Sequence, residues 1–365
     1  MTNETVAVQE HDFTDVGVVE EGGWGEDIDF ELEEESPGWG QEDFEVPEVQ
    51  QEVKTDFKAT TAGVSLQQKW SRTCVVPGEL VAAGAFQAAM QALTRTAGVT
   101  NFLPLKELFM TVHMGGQVSL PLLPHLKPLE LYTTRLKTSG TSRPHVSITL
   151  SQLTSCLKSA YKLTTKGQFA EALVEFRKVL HSILFASVTT EKEETEVKEL
   201  VKICVEYVTC MRLELARQEQ VKSNPARSLE LCYYMSLCKL QPPHQSLTLR
   251  SAISLAYKNK NFITCTSLCK RFIELTQNYP QVVPGDSKQV LDKHKKLLAY
   301  CQQVFTNDLG LGVELPETSP DIVSMLCQRS FSQVSPAVPT SRCPFCGSLF
   351  HKEYKGSICD TCQIS

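Results

Sequence analysis

The stretch Ala160-Tyr161-Lys162-Leu163-Thr164-Thr165-Lys166-Gly167-Gln168-Phe169-Ala170-Glu171-Ala172 decides how the chain is read. Before it, Leu150, Leu153, Leu157 and Tyr161 recur at helical spacing. After it, Phe169, Ala172, Leu173, Phe176, Leu180 and Ile183 do the same. Lys166-Gly167-Gln168 breaks the two runs apart, so the reading is two amphipathic helices joined by a short turn.

The same period continues downstream. Val197, Val201, Cys204, Val208, Met211 and Leu215 form one face of a helix, and Leu229, Tyr233, Leu237 and Leu240 follow. Beyond Pro242-Pro243 come Leu247 to Tyr257, then Phe262, Cys265, Leu268, Phe272 and Leu275, and finally Val290, His294, Leu297, Cys301 and Phe305. Seven or so helices between about Val146 and Phe305 make a mainly α protein, an irregular solenoid or bundle. Ala160-Tyr161, Gly167, Phe169, Ala172 and Phe176 fit much of the tetratricopeptide helix-turn-helix signature, and Ala256-Tyr257, Phe262 and Cys265 echo it. Phe169 and Phe262 lie 93 residues apart, whereas a regular array repeats about every 34, so the hairpins belong to an irregular fold.

Upstream, Pro77-Gly78 opens a helical stretch expected to run to about Thr96, with Leu80, Phe86, Met90 and Leu93 apolar and Gly98 beyond its end. Two strand-like runs then flank Gly115-Gly116, at 108–113 and 118–122. The expectation is a protruding β-hairpin near 108–122 that presents Phe109, Met110, Val112, Met114, Val118 and Leu120, with Pro121 marking an edge strand. Residues 121–146 are rich in Pro, Ser and Thr and read as a long loop. Cys156, Cys204, Cys232, Cys265 and Cys301 lie on or beside helical stripes and read as core packing.

Charge divides the chain. Residues 1–56 hold 19 acidic residues and one basic, which leaves 23 acidic and 35 basic for 57–365. The first segment is read as a disordered acidic linker, since it has too few aliphatic residues to offset chain entropy. Within it Gly23-Trp24-Gly25 returns as Gly38-Trp39-Gly40. Trp24 and Trp39 are either a linear docking motif or a spacer that packs on the basic body, and the sequence leaves both open.

Cys343-Pro344-Phe345-Cys346-Gly347 and Cys359-Asp360-Thr361-Cys362 are two CxxC knuckles twelve residues apart. Four thiolates so spaced suit tetrahedral Zn2+, with Gly347 letting the backbone fold under the metal. The rival, a redox dithiol, expects a single CxxC beside a βαβ pattern. All four ligand positions being protein-borne, the zinc would be structural. The organisation is therefore 1–56 acidic linker, 57–334 helical domain and 335–365 zinc-binding tail, the tail expected to unfold without its metal while the helices persist. The N-terminus has neither the basic start nor the apolar run of a signal peptide, no segment is apolar enough to span a bilayer, and a reducing compartment follows. No P-loop, dinucleotide fingerprint, nucleophile elbow or HExxH helix is present, and His113 and His294 sit in no catalytic pattern, so no enzyme is read here.

Taken together these pieces resemble the C-terminal domain of the coatomer alpha subunit. The resemblance is carried by Leu80-Val81-Ala82-Ala83-Gly84-Ala85-Phe86-Gln87-Ala88-Ala89-Met90, Lys106-Glu107-Leu108-Phe109, Cys156 to Phe176, Leu249-Arg250-Ser251-Ala252, Asn259-Lys260-Asn261-Phe262, Pro320-Asp321-Ile322 and Tyr354-Lys355-Gly356-Ser357-Ile358-Cys359. It implies a non-enzymatic vesicle-coat assembly module for Golgi-to-ER and intra-Golgi transport, cytoplasmic and peripheral on Golgi and COPI vesicle membranes. It also implies a stable partner, the coatomer epsilon subunit, wrapped around the protruding hairpin, and other coatomer subunits beside it. The family's cargo-recognising β-propellers have no counterpart here, and family members vary at the second and fourth cysteine positions, so zinc rests on the spacing alone. A zinc-ribbon nucleic-acid binder built on the basic body is the alternative. Against it, Lys and Arg are spread without a recognition motif and the acidic segment would compete with phosphate. A free-standing tetratricopeptide-like adaptor accounts less well for the hairpin and the tail.

Overall fold

A computed structural model describes residues 63–120, 125, 129–136, 142–280, 287–310, 325–335 and 337–365. The acidic segment 1–56 with Trp24 and Trp39, and Pro320-Asp321-Ile322, lie outside the described residues.

The decisive helix pair forms as its sequence dictates. Helix α5 spans Leu150–Thr165 behind a capping box of Thr149 and Gln152, and α6 spans Phe169–Ile183. Between them Gly167 takes φ +74, the Gly167 N–H bonds Thr164 O and the Gln168 N–H bonds Leu163 O. That pairing satisfies the last carbonyls of α5 and turns the chain back. The echo downstream is built the same way. Helix α9 (Pro242–Lys258) ends with Lys260 at φ 53, its N–H on Tyr257 O and that of Asn261 on Ala256 O, before α10 (Phe262–Asn278) begins. The buried Asn261 amide also pairs in both directions with the backbone of Leu309.

Helices α7 (Glu191–Gln220) and α8 (Pro225–Leu237) lie between the pairs, and α11 (Ser287–Val304) packs on α10. Each helix contacts its sequence neighbour, which is the irregular solenoid expected. Phe169, Phe176, Leu180, Cys204, Met211, Leu229, Tyr233, Leu268 and Phe272 are in the core. Cys204, Cys232, Cys265 and Cys301 are fully buried, but Cys156 is exposed. Phe305, grouped with the α11 stripe, has left the helix at φ 44 and is exposed.

The expected helix from Pro77 to Thr96 is two helices. α2 (Pro77–Ala82) and α3 (Phe86–Ala97) are separated at Gly84, φ +74, where any Cβ would strike the Gln67 side chain on α1 (Leu66–Thr73). Leu80 and Leu93 are buried, while Met90 is exposed.

The hairpin at 108–122 requires correction. Phe109, Met110, Val112, Met114 and Gly115 lie in helix α4, Lys106–Gly115, with Gly116 as its cap, and only Val118 and Leu120 are in a strand. Val112 is fully buried, the inward member of a helical stripe, and so is no surface residue. Neither Gly115 nor Gly116 takes the positive φ of a primed turn. They are there for close packing: a Cβ on Gly115 would meet the Ser147 hydroxyl at 2.8 Å, and one on Gly116 would meet His145 O at 3.3 Å. The true hairpin pairs β1 (Gln117–Leu120) with β2 (Leu129–Tyr132), antiparallel, and a second pairs β3 (Thr134–Leu136) with β4 (Ser142–Pro144). In both, strands run through the segment read as a loop at 121–146.

Candidate metal centre and hairpin surface

The C-terminal knuckles meet as their spacing predicts. In the first, the Cys346 N–H points at Cys343 Sγ (3.5 Å), the Gly347 N–H bonds Cys343 O (3.0 Å), and Gly347 takes φ +72. In the second, the Gln363 N–H bonds Cys359 O (2.8 Å) and Gln363, at φ 63, occupies the place that Gly347 has in the first. A short antiparallel pair, β5 (Thr340–Arg342) with β6 (Leu349–His351), aligns them. Cys343, Cys346, Cys359 and Cys362 are all buried, and their four Sγ atoms lie within 4.8 Å of one another. Cys343 to Cys362 is 3.7 Å and Cys346 to Cys359 is 3.5 Å. A tetrahedron with metal–sulfur bonds of about 2.3 Å has edges of about 3.8 Å. The spacing therefore fits a shared divalent ion, and it is far longer than the roughly 2 Å of a disulfide. Thiols held so close share protons unequally. Hydrogen bonds from Cys346, Cys359 and Cys362 hold Cys343 below the ordinary thiol range, and the same cluster pushes Cys346 above it. Cys359 is shifted down as well, so the cluster sets its four thiols apart in acidity.

The tail is not a separate appendage, as the expectation of independent unfolding required. From α6, Arg177 donates to the carbonyls of Thr361 (3.0 Å) and Asp360 (2.7 Å), and His181 Nε2 donates to Cys362 O (2.6 Å). From the loop after α3, the N–H groups of Thr100 and Asn101 bond Ile364 O at 2.8 and 3.0 Å, and Ile364 is fully buried. Pro344 packs so tightly on Gly98 that a Cβ there would lie 2.3 Å from its ring. The segment just before the tail is tied in as well: Thr209 of α7 donates to Gln328, Arg227 of α8 donates to the carbonyls of Ser330 and Phe331, and the Gln328 N–H bonds Leu349 O of the tail (2.8 Å). None of these partners carries a sequence signal that ties it to the knuckles, because each is one polar residue on an amphipathic helix or in a loop.

The β1–β2 hairpin has two unlike faces. Tyr132 meets the fully buried Trp70 of α1 edge-on at 5.9 Å, and Trp70 Nε1 donates to Ser142 O (3.0 Å), which fixes the strands to the body. On the other face Val118 and Leu131 are cross-strand partners, each 45% exposed. Met110 and Met114, one turn apart on α4, are 50% and 61% exposed, while Phe109 packs against Phe86, Phe102 and Phe185. Leu131 escaped the sequence reading, although Leu129-Glu130-Leu131-Tyr132 alternates with period two. β3 and β4 are tied down by Glu79 of α2, which is 2% exposed and accepts from Arg143 (2.8 Å), with Arg135 at 3.7 Å. Among the described residues no helix is long and apolar enough to cross a membrane.

The family model for the C-terminus of the coatomer (COPI) alpha subunit matches residues 2–365. Coatomer subunit alpha of Dictyostelium discoideum is 33% identical over 315 residues, 85% of this chain and 24% of that protein. Coatomer subunit alpha-3 of Oryza sativa subsp. japonica is 33% identical over 344 residues, 91% of this chain and 27% of the relative. Coatomer subunit alpha-1 of Arabidopsis thaliana is 30% identical over 379 residues, 94% and 30% of the two chains. The chain thus spans about a quarter of the length of these relatives.

Proposed function

The chain belongs to the coatomer (COPI) alpha family, as a C-terminal part of that subunit, and from that premise we propose that it is a non-enzymatic module of vesicle-coat assembly whose partner is the coatomer epsilon subunit. The observation that carries the reading is the β1–β2 hairpin, anchored on one face through Tyr132 and Trp70 and open on the other at Val118 and Leu131. An isolated two-stranded hairpin is marginal in water, and cover from a helical partner would supply the missing layer. Met110 and Met114 extend the surface along α4, and unbranched methionines suit a surface that must conform to a partner. Through that partner and other coatomer subunits the chain would sit in the cytoplasm, peripheral on Golgi and vesicle membranes, in Golgi-to-ER and intra-Golgi transport.

Cys343, Cys346, Cys359 and Cys362 would hold one structural Zn2+, with no open position for catalysis. Trp24 and Trp39 would serve as a linear motif for a further coat partner, so that Trp24→Ala with Trp39→Ala weakens that contact and leaves epsilon binding unchanged. The hairpin is tested with Val118→Asp and Leu131→Asp together, by titration calorimetry against purified epsilon subunit. Truncated interface residues near a contact centre cost about 2 kcal/mol or more each, so association should disappear, while the helical circular dichroism melt stays in place because both side chains are half exposed. Undiminished binding by the folded double variant refutes the assignment.

A further inference from the structure

Two arginines of the helical body, Arg177 and Arg212, are partly buried and form no ion pair among the described residues. Arg177 of α6 spends its Nε and Nη2 on the carbonyls of Thr361 and Asp360. Arg212 of α7 stacks its guanidinium 5.0 Å from the Phe331 ring centroid, and its Nη1 is buried with no hydrogen-bond partner among the described residues. A guanidinium that loses part of its hydration without a counter-ion is favoured by negative charge placed nearby. The charged groups that act on the pair are each other, Arg329, Asp360 and the knuckle sulfurs Cys346, Cys359 and Cys362. Asp360 is already held by Arg329 at 2.7 Å. Three guanidinium charges against one carboxylate leave two positive charges unbalanced if the four cysteines are neutral thiols. A divalent ion held by four thiolates carries a net charge of minus two.

We propose that Arg177 and Arg212 are the counter-charges of a tetrathiolate metal centre. The two helices supply what the knuckle itself lacks, and the metal in turn neutralises two partly buried cations of the helical body. The inference rests on the metal reading and adds a coupling to it. The knuckle is then more than a small fold stabilised by zinc. Metal release would leave α6 and α7 with uncompensated charge, and would loosen the Thr100–Asn101 contact that joins the N-terminal helices to the tail. The spacing of the cysteines gives no hint of this, since the compensating groups stand about 130 to 185 residues upstream.

The test uses the full chain, with zinc competed against a colorimetric chelator and Co2+ substituted to report thiolate ligation by absorption. Arg177→Gln and Arg212→Gln should each hold zinc about 10- to 100-fold less tightly, the range found for partners just outside a metal's ligand shell. Arg212→Lys, which keeps the charge but not the planar stack, should stay within a few fold of the unaltered chain. A second measurement needs no variant: chelating the metal should raise amide hydrogen exchange in α6 and α7 as well as in residues 343–365. If both Gln variants retain zinc as tightly as the unaltered chain, or if exchange rises only within 343–365, the counter-charge role is overturned while the metal site stands. If the unaltered chain binds less than half an equivalent of zinc, the metal site falls and the counter-charge with it.

Discussion

Replacing Glu79 by Gln tests how the strand-bearing region is held to the body. Glu79 is 2% exposed and faces two cations, Arg143 Nη1 at 2.8 Å and Arg135 Nη2 at 3.7 Å. Gln keeps the shape and removes the charge. At an effective dielectric of about 20, opposite charges about 4 Å apart attract by about 4 kcal/mol. The arginine side chains are 25% and 32% exposed, so water recovers part of that once the carboxylate is gone. Breaking a fully buried pair costs about 3–5 kcal/mol and an exposed one less than about 1, which places this site near 2 kcal/mol. For a domain of this size that is a fall in melting temperature of roughly 4–8 °C. The assay is a circular dichroism melt joined to hydrogen exchange on 129–136 and 142–146, where protection should fall most because β3 and β4 lose their tether. Arg143→Gln in the same background should then add little, since its partner is already neutral. A melting temperature within about 1 °C of the unaltered protein, with unchanged strand protection, would refute the tether.

Cys346→Ser should abolish stoichiometric zinc and lower the melting temperature of the helical body as well as of the tail, read by metal analysis beside a thermal melt. Lys260→Gly should raise stability by about 0.5–1 kcal/mol, because Lys260 adopts φ 53 at the turn where the α5–α6 pair uses Gly167; a urea midpoint decides it. Trp70→Ala should cost about 3–5 kcal/mol by cavity formation and leave Ser142 O without its donor, seen as loss of cooperative unfolding. His244 is buried between Tyr207 and Thr165, and burial lowers its pKa to about 4. Below about pH 6.5 the unfolded chain takes up a proton that the folded chain refuses until about pH 4, so this contribution is complete above about pH 6.5 and is lost as pH falls. About 2 kcal/mol should disappear between about pH 7 and 5, and His244→Gln should flatten that part of the urea-midpoint profile.

How far the sequence could be read depended on whether the signal was local. The α5–α6 pair was legible because the apolar period on both sides and the break at Gly167 lie within one window, while the capping box of Thr149 and Gln152 that starts α5 went unread. The knuckles were legible because thiol spacing alone brings four ligands together. The segment 106–120 was misread because Leu108 to His113 is apolar nearly throughout, a run that fits a strand or a buried helix equally, and Gly115-Gly116 tipped it towards a turn. What settles it as a helix lies elsewhere in the chain: Phe86 and Phe185 receive Phe109, and the Ser147 side chain and the His145 carbonyl pack closely on Gly115 and Gly116. The strands of 129–144 were masked by the prolines around them, Pro121, Pro124 and Pro128 before and Pro144 at the end, although Leu129-Glu130-Leu131-Tyr132 alternates as a half-buried strand should.

The hairpin and the cysteine cluster draw on the same N-terminal unit. Residues 63–148 meet the solenoid through Phe109 on Phe185 and through Gly78, whose missing Cβ would lie 2.3 Å from Phe185 O. They meet the knuckle through Gly98 on Pro344 and through the paired N–H groups of Thr100 and Asn101 on Ile364 O. The strands, in turn, hang on Trp70 of α1 and Glu79 of α2. The proposed partner surface is thus mounted on short helices whose own core is small and whose position depends on contacts at both ends. The folded tail fixes one of those ends with two backbone hydrogen bonds and a glycine–proline contact that tolerates almost no displacement. Loss of the tail should therefore be felt at Val118 and Leu131, and a chain treated with chelator should bind the epsilon subunit more weakly than the zinc-loaded chain even though no metal ligand touches the hairpin. Equal affinity of the two forms by calorimetry would show that α1 and α2 hold the strands unaided.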